Sequence, residues 1–171
     1  MRLFLTGMPG SGKTYWMQQL AAELQLEQID LDALIESENA ATIPELFARG
    51  EPFFRQCEQA ALQKAIALSG DRHTLISTGG GLPAYPGNIA LMQAAGRIIY
   101  LASSVEQLAA RVQLNPGTRP LLATGDPKVL KEKLGNLLEQ RQVFYEQADI
   151  KIEVDNLSLA TFAAQIRKYI L

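Results

Sequence analysis

Along this chain, short β-rich apolar runs alternate with longer stretches whose hydrophobic positions recur at helical spacing. The runs are Arg2 to Thr6, Glu27 to Ile29, His73 to Thr78, Arg97 to Ala102 and Ile150 to Val154. This alternation predicts an α/β fold in which a parallel sheet carries helices on both faces. Thr42 with Glu45 and Ser103 with Glu106 read as capping boxes, side chains and backbone N–H groups satisfying one another at helix starts. Asp126-Pro127 and Ser158 mark two further helix entries. The segment Leu114 to Lys128, with Asn115-Pro116-Gly117, Gly125 and Pro127, is the least regular and reads as a mobile lid over about residues 112–127. No internal repeat or low-complexity linker divides the chain, so a single domain over residues 1–171 is expected.

Composition narrows the partners. With 171 residues and 47% hydrophobic content, one core forms without disulfides or structural metal. A net charge of −2 and a pI near 5.5 argue against the broad basic surface that binds nucleic acid or anionic lipid. Cys57 is the only cysteine, which excludes an internal disulfide, suits a reducing compartment and reads as a small core residue. The first apolar run is too short for a secretory signal, and no run approaches the ~20 residues that span a bilayer. A soluble, cytoplasmic, monomeric protein is expected, and the lone His73 is read as a surface residue.

The candidate chemistry begins at Gly7-Met8-Pro9-Gly10-Ser11-Gly12-Lys13-Thr14, which satisfies G-x-x-x-x-G-K-[ST] between a predicted strand and a predicted helix. Glycines let the backbone turn its N–H groups toward phosphate oxygens, Lys13 reaches the terminal phosphates, and the Thr14 hydroxyl suits Mg²⁺. Motor ATPases also need an apolar strand ending in Asp, whereas "HTLIST" runs into Gly79-Gly80-Gly81 and "RIIYLAS" ends in serine. The Asn-Lys-x-Asp segment of GTPases is absent as well.

Other residues could complete a site. Asp30 and Asp32 follow a short strand two apart, so in extended geometry both carboxylates point the same way, one toward a metal and the other toward a substrate hydroxyl. The competing reading is a solvated helix start. Arg55 opens a helical pattern after two phenylalanines and reads either as an anion ligand or as an ion-pair partner of Glu58. Gly79, Gly80 and Gly81 leave backbone open to a ligand. Arg119 lies in the expected lid, and Arg141 stands four residues before Tyr145.

The phosphate loop, "IDLDALIE", "ELFARGEPFFRQCE", "ISTGGG", "RPLL" and "RQVFYEQAD" occur in the order and spacing of shikimate kinases, and the chain resembles that family from Leu3 to about Asp155. The resemblance implies a three-layer α/β/α P-loop NTPase fold of the nucleoside-monophosphate-kinase type, with a five-stranded parallel sheet. It also implies transfer of a phosphoryl group from ATP, with Mg²⁺, to the 3-hydroxyl of shikimate, in aromatic amino-acid biosynthesis. Carried over by motif, Gly10, Ser11, Gly12, Lys13, Thr14 and Tyr15 resemble the ATP phosphate cradle, and Thr14 and Asp30 the Mg²⁺ side. Asp32, Arg55, Gly79, Gly80, Gly81 and Arg141 resemble the shikimate contacts. Arg119 resembles the lid arginine that closes on ATP, and Arg111 one beside the adenine. Lys13, Asp32 and Arg119 are the implied catalytic residues.

The chain departs from the family at Thr14-Tyr15, where a second hydroxyl residue is usual after the loop lysine. It departs again at Asn39-Ala40-Ala41-Thr42, where a glycine is usual, and in a link from Arg141 to Asp149 one residue short. A kinase of another carboxylated polyol such as gluconate, and a nucleotide-binding module without transfer, are the competing functional readings.

Overall fold

The structure, a computed structural model, describes residues 1–114, 122 and 124–170. Five strands, β1 (Arg2–Thr6), β2 (Glu27–Asp30), β3 (Thr74–Ser77), β4 (Arg97–Ala102) and β5 (Ile150–Glu153), pair in parallel in the order β2-β3-β1-β4-β5. Each expected strand is present, with ends moved by at most a residue. The inner strands β1, β3 and β4 are nearly continuous apolar or buried runs, as strands covered on both faces must be, whereas edge strand β5 alternates buried and exposed.

The period of two along the strands sorts the core into layers. Leu3 and Leu5 pack on one face with Trp16, Met17 and Leu20 of α1 (Lys13–Leu24) and Phe162 and Ile166 of α8 (Leu159–Ile170). Phe4, Ile76 and Ile98 point the other way. They meet α2 (Leu31–Asn39), α3 (Ile43–Ala48), α4 (Glu51–Ser69) and α5 (Asn88–Ala95). Farther along that face Tyr100 and Ala102 of β4 pack on α6 (Val105–Leu114) and α7 (Pro127–Tyr145). Each Leu or Phe sealed this way contributes roughly 1.5–3 kcal/mol, so the sheet is a rigid platform whose C-terminal edge presents the loops after β1, β2 and β3 together.

The helix ends test the capping expectations individually. Thr42 and Glu45 form the reciprocal box at α3, Asp126 accepts from the Lys128 N–H at α7, and Ser158 Oγ accepts from the Thr161 N–H at α8. The Ser103 box is corrected: Ser103 Oγ donates to Asp155 at 2.6 Å, and Ser104 Oγ accepts the Gln107 N–H, because β5 brings a carboxylate to the position that a local reading assigned to the cap. Residues 112–114 of the expected lid are the last turn of α6, Pro127 is the first residue of α7, and most of the segment between lies outside the described residues. His73 is exposed, as expected. Cys57 is only half-buried, at the margin of the α2–α4 core, with its Sγ 3.6 Å from Asn39 Oδ1. No described helix is long and apolar enough to cross a membrane.

Candidate active site

The glycine-rich loop joins β1 to α1 and packs against α6. Gly10 has φ +86°, and a Cβ there would sit 2.8 Å from the Leu108 carbonyl, so both conformation and space demand glycine. Gly12 at φ +85° is the residue from which α1 starts, leaving the first N–H groups of that helix without side-chain caps and available to an anion. Lys13 Nζ donates to the Gly7 and Met8 carbonyls at 2.9 and 3.0 Å and so lies over the loop. Tyr15 is 57% exposed and meets Trp16 edge to face, the aromatic neighbour that the departure at this position introduced.

The strand β2 ends at Asp30, and α2 begins at once. This corrects the extended geometry expected for Asp30 and Asp32: Asp30 is the N-cap of α2, its Oδ1 accepting from the Asp32 and Ala33 N–H groups, and Asp32 stands in the first helical turn. The helix-start reading therefore holds without removing Asp30 from the site, because Asp30 Oδ2 accepts a hydrogen bond from the Thr14 hydroxyl at 2.9 Å. Two hard oxygen donors beside a phosphate loop suit Mg²⁺, which takes few protein ligands and completes its shell with water and phosphate. The described residues hold no cluster of three or more His, Cys, Asp or Glu.

On the other side of the same cavity stands Arg55. Its Nε and Nη2 donate to Glu51 Oε1 at 3.2 and 2.8 Å and its Nη1 to Glu58 Oε2 at 2.5 Å. Its guanidinium also lies 5.8 and 5.5 Å from the centroids of the stacked Phe47 and Phe54 rings. The ion-pair reading of Arg55 is thus realised, yet of the five guanidinium N–H groups these bonds occupy three, so two stay open to an anion. Glu58 is 2% exposed, and burial pushes its carboxyl up to about 6 against the pull of Arg55.

Arg141, on α7, is only 8% exposed, and among the described residues it has no ion-pair partner. The buried Glu58 carboxylate feels its charge but is bonded to Arg55, so a further anion would stabilise the two guanidiniums. Between the two arginines runs the glycine strip after β3. A Cβ on Gly79 would strike Glu58 Oε1, one on Gly80 would reach Pro9 Cδ at 3.0 Å, and one on Gly81 would lie 2.5 Å from Arg55 Nη1. At these positions a side chain would displace Glu58, Pro9 or Arg55, and none of the three has a left-handed φ.

A single cavity of about 200 Å³ is lined by the loop residues Gly10, Gly12, Lys13, Thr14 and Tyr15, by Asp32, Arg55, Glu58 and Arg141, and by Gly79 to Gly81. Arg111 stands apart from this lining: its Nη1 donates to the Gly10 carbonyl and Ser103 Oγ at 3.3 and 3.1 Å and its Nη2 to Asp155 at 3.2 Å, gripping the loop from outside. Arg119 lies outside the described residues. Sequence reading named Glu58 only as a partner and gave Glu51 and Tyr145 no role. The i, i+3 and i, i+4 spacings of the two glutamates around Arg55 were the signal available.

Comparison with known proteins identifies the family and the fold. The family model described as shikimate kinase matches residues 9–171. The shikimate kinase of Parabacteroides distasonis is 38% identical over 157 residues, covering 91% of this chain and 89% of that protein. The crystal structure of shikimate kinase from Bacteroides thetaiotaomicron superposes with a TM-score of 0.89 at 30% identity, covering 99% of this chain and 98% of that one. The shikimate kinase of Acinetobacter baumannii, solved in complex with shikimate, superposes with a TM-score of 0.87 at 32% identity, covering 99% and 92%.

Proposed function

The chain belongs to the shikimate kinase family, and on that premise we propose that it transfers the γ-phosphoryl group of ATP to the 3-hydroxyl of shikimate, as one domain over residues 1–171. The observation that carries this reading is the two-ended cavity: phosphate loop, Lys13 and the Thr14–Asp30 pair at one end, Arg55, Arg141 and the glycine strip at the other. Shikimate has one carboxylate and three hydroxyls, and so needs cationic forks at one end and an acceptor at the other.

In this reading the backbone from Gly10 to Tyr15 and the start of α1 cradle the ATP phosphates, while Arg111 supports the nucleotide end. Thr14 and Asp30 would hold Mg²⁺, which would supply neutralisation of phosphate charge. Arg55 and Arg141 grip the shikimate carboxylate beside Gly79, Gly80 and Gly81. Asp32 accepts from the substrate hydroxyls and aligns the attacking oxygen. The transition state of phosphoryl transfer is loose, so the rate comes from alignment and from charge placed by Lys13 and Arg119 rather than from a strong base. A coupled assay for ADP, run with shikimate and with gluconate as separate acceptors, tests the reading: turnover with shikimate and not gluconate supports it, and the reverse excludes it.

A further inference from the structure

We propose that Tyr145 is a positioning residue for the acceptor end of the site, its hydroxyl joining Arg141 to the Gly80 backbone. Tyr145 closes α7 with 1% exposure and stacks on Tyr100, ring centroids 4.9 Å apart. Its hydroxyl donates to the Gly80 carbonyl at 2.5 Å and lies 3.6 Å from Met8 Sδ. The charge of Arg141, one helical turn earlier, acts on the same hydroxyl. Burial raises the phenol pKa and Arg141 offsets only part of that rise, so the hydroxyl stays protonated and keeps donating to Gly80.

The arrangement solves a local problem. Gly80 has no Cβ to restrict its backbone, and it lies against Pro9 of the phosphate loop, so the plane of its peptide must be set from outside. Arg141 has a long stem and no salt bridge among the described residues to fix its fork. One phenol oxygen, held by a ring wedged in the α6–α7 core, constrains both. Since Met8 lies beside the same hydroxyl, the acceptor end is tied to the first turn of the phosphate loop.

This inference rests on the shikimate reading, and the wild-type protein is therefore measured first. Its shikimate-dependent ADP formation tests that reading alone. Tyr145→Phe then deletes only the oxygen and keeps the stacked ring. The expected result is a KM for shikimate raised about tenfold, with kcat and the KM for ATP within about twofold of wild type. Tyr100→Phe, which removes the neighbouring hydroxyl from the same stack, leaves the shikimate KM unchanged. A shikimate KM unchanged in Tyr145→Phe overturns the proposal. So does an equal rise in both KM values, or an equal effect from Tyr100→Phe, since each points to general loosening of the stack. Thermal melting and shikimate calorimetry on both variants keep the comparison valid if activity is low: a folded Tyr145→Phe protein must bind ADP normally and shikimate weakly.

Discussion

The Thr14 hydroxyl donates to the Asp30 carboxylate at 2.9 Å, joining the first turn of α1 to the end of β2 across 16 residues of sequence. Asp30 does this while capping α2 with its other oxygen, so one side chain holds a helix start and faces the phosphate loop.

These two roles separate on mutation. Asparagine caps helices about as well as aspartate but carries no charge, so Asp30→Asn should melt close to wild type while needing about tenfold more Mg²⁺ for half-maximal activity. Magnesium titrations of both proteins at saturating substrates check this. An unchanged Mg²⁺ requirement would remove Asp30 from the metal side.

Lys13 and Arg55 should separate in the kinetics. Lys13→Ala is expected to lower kcat about 100-fold or more, since it removes charge aimed at the phosphates. Arg55→Lys keeps a charge but loses the fork, and with the neighbouring Glu51 and Glu58 absorbing the ammonium, the KM for shikimate should rise about tenfold with a smaller change in kcat. Steady-state kinetics in both substrates read the split.

Glu58 makes stability depend on pH in an unusual sense. Its folded pKa, about 6, lies above the ordinary value of 4.5, so the folded state binds the proton more tightly than the unfolded chain. That contribution, on the order of 2 kcal/mol, is fully present below pH 4.5 and is lost as pH rises through about 6. Glu58→Gln should therefore flatten the melting temperature between pH 4.5 and 6.5 relative to wild type. Parallel pH curves for the two proteins would contradict the assignment.

The departure at Asn39 to Thr42 has a physical meaning. Ala40 ends α2 with φ +47° and ψ +38°, a left-handed conformation that glycine adopts without steric cost. Ala40 is exposed, so Ala40→Gly changes little besides that strain and should stabilise the fold by about 0.5–1 kcal/mol, with unaltered kinetics. Thermal or urea unfolding measures it.

Much of this protein was legible in its sequence because the signals are local. The five strands, the Thr42–Glu45 box and the phosphate loop each rest on neighbours within a few residues. What escaped depended on distant partners. Asp155 drew Ser103 away from its expected cap, and the early start of α2 turned Asp30 into a cap. The buried charge of Glu58 and the bond from Tyr145 to Gly80 arise only when α4 and α7 close around the glycine strip. Local spacing supplied the Arg55–Glu58 pair, which the structure bears out, but gave the second carboxylate, Glu51, no role.

In the proposed reading, one cavity holds ATP phosphates at one end and shikimate at the other. Its most direct test is a coupled measurement of ADP release with Mg-ATP, with and without shikimate. The expected result is turnover that depends on shikimate and saturates with it. A folded protein that binds ADP by calorimetry yet releases no ADP above background on addition of shikimate would contradict it.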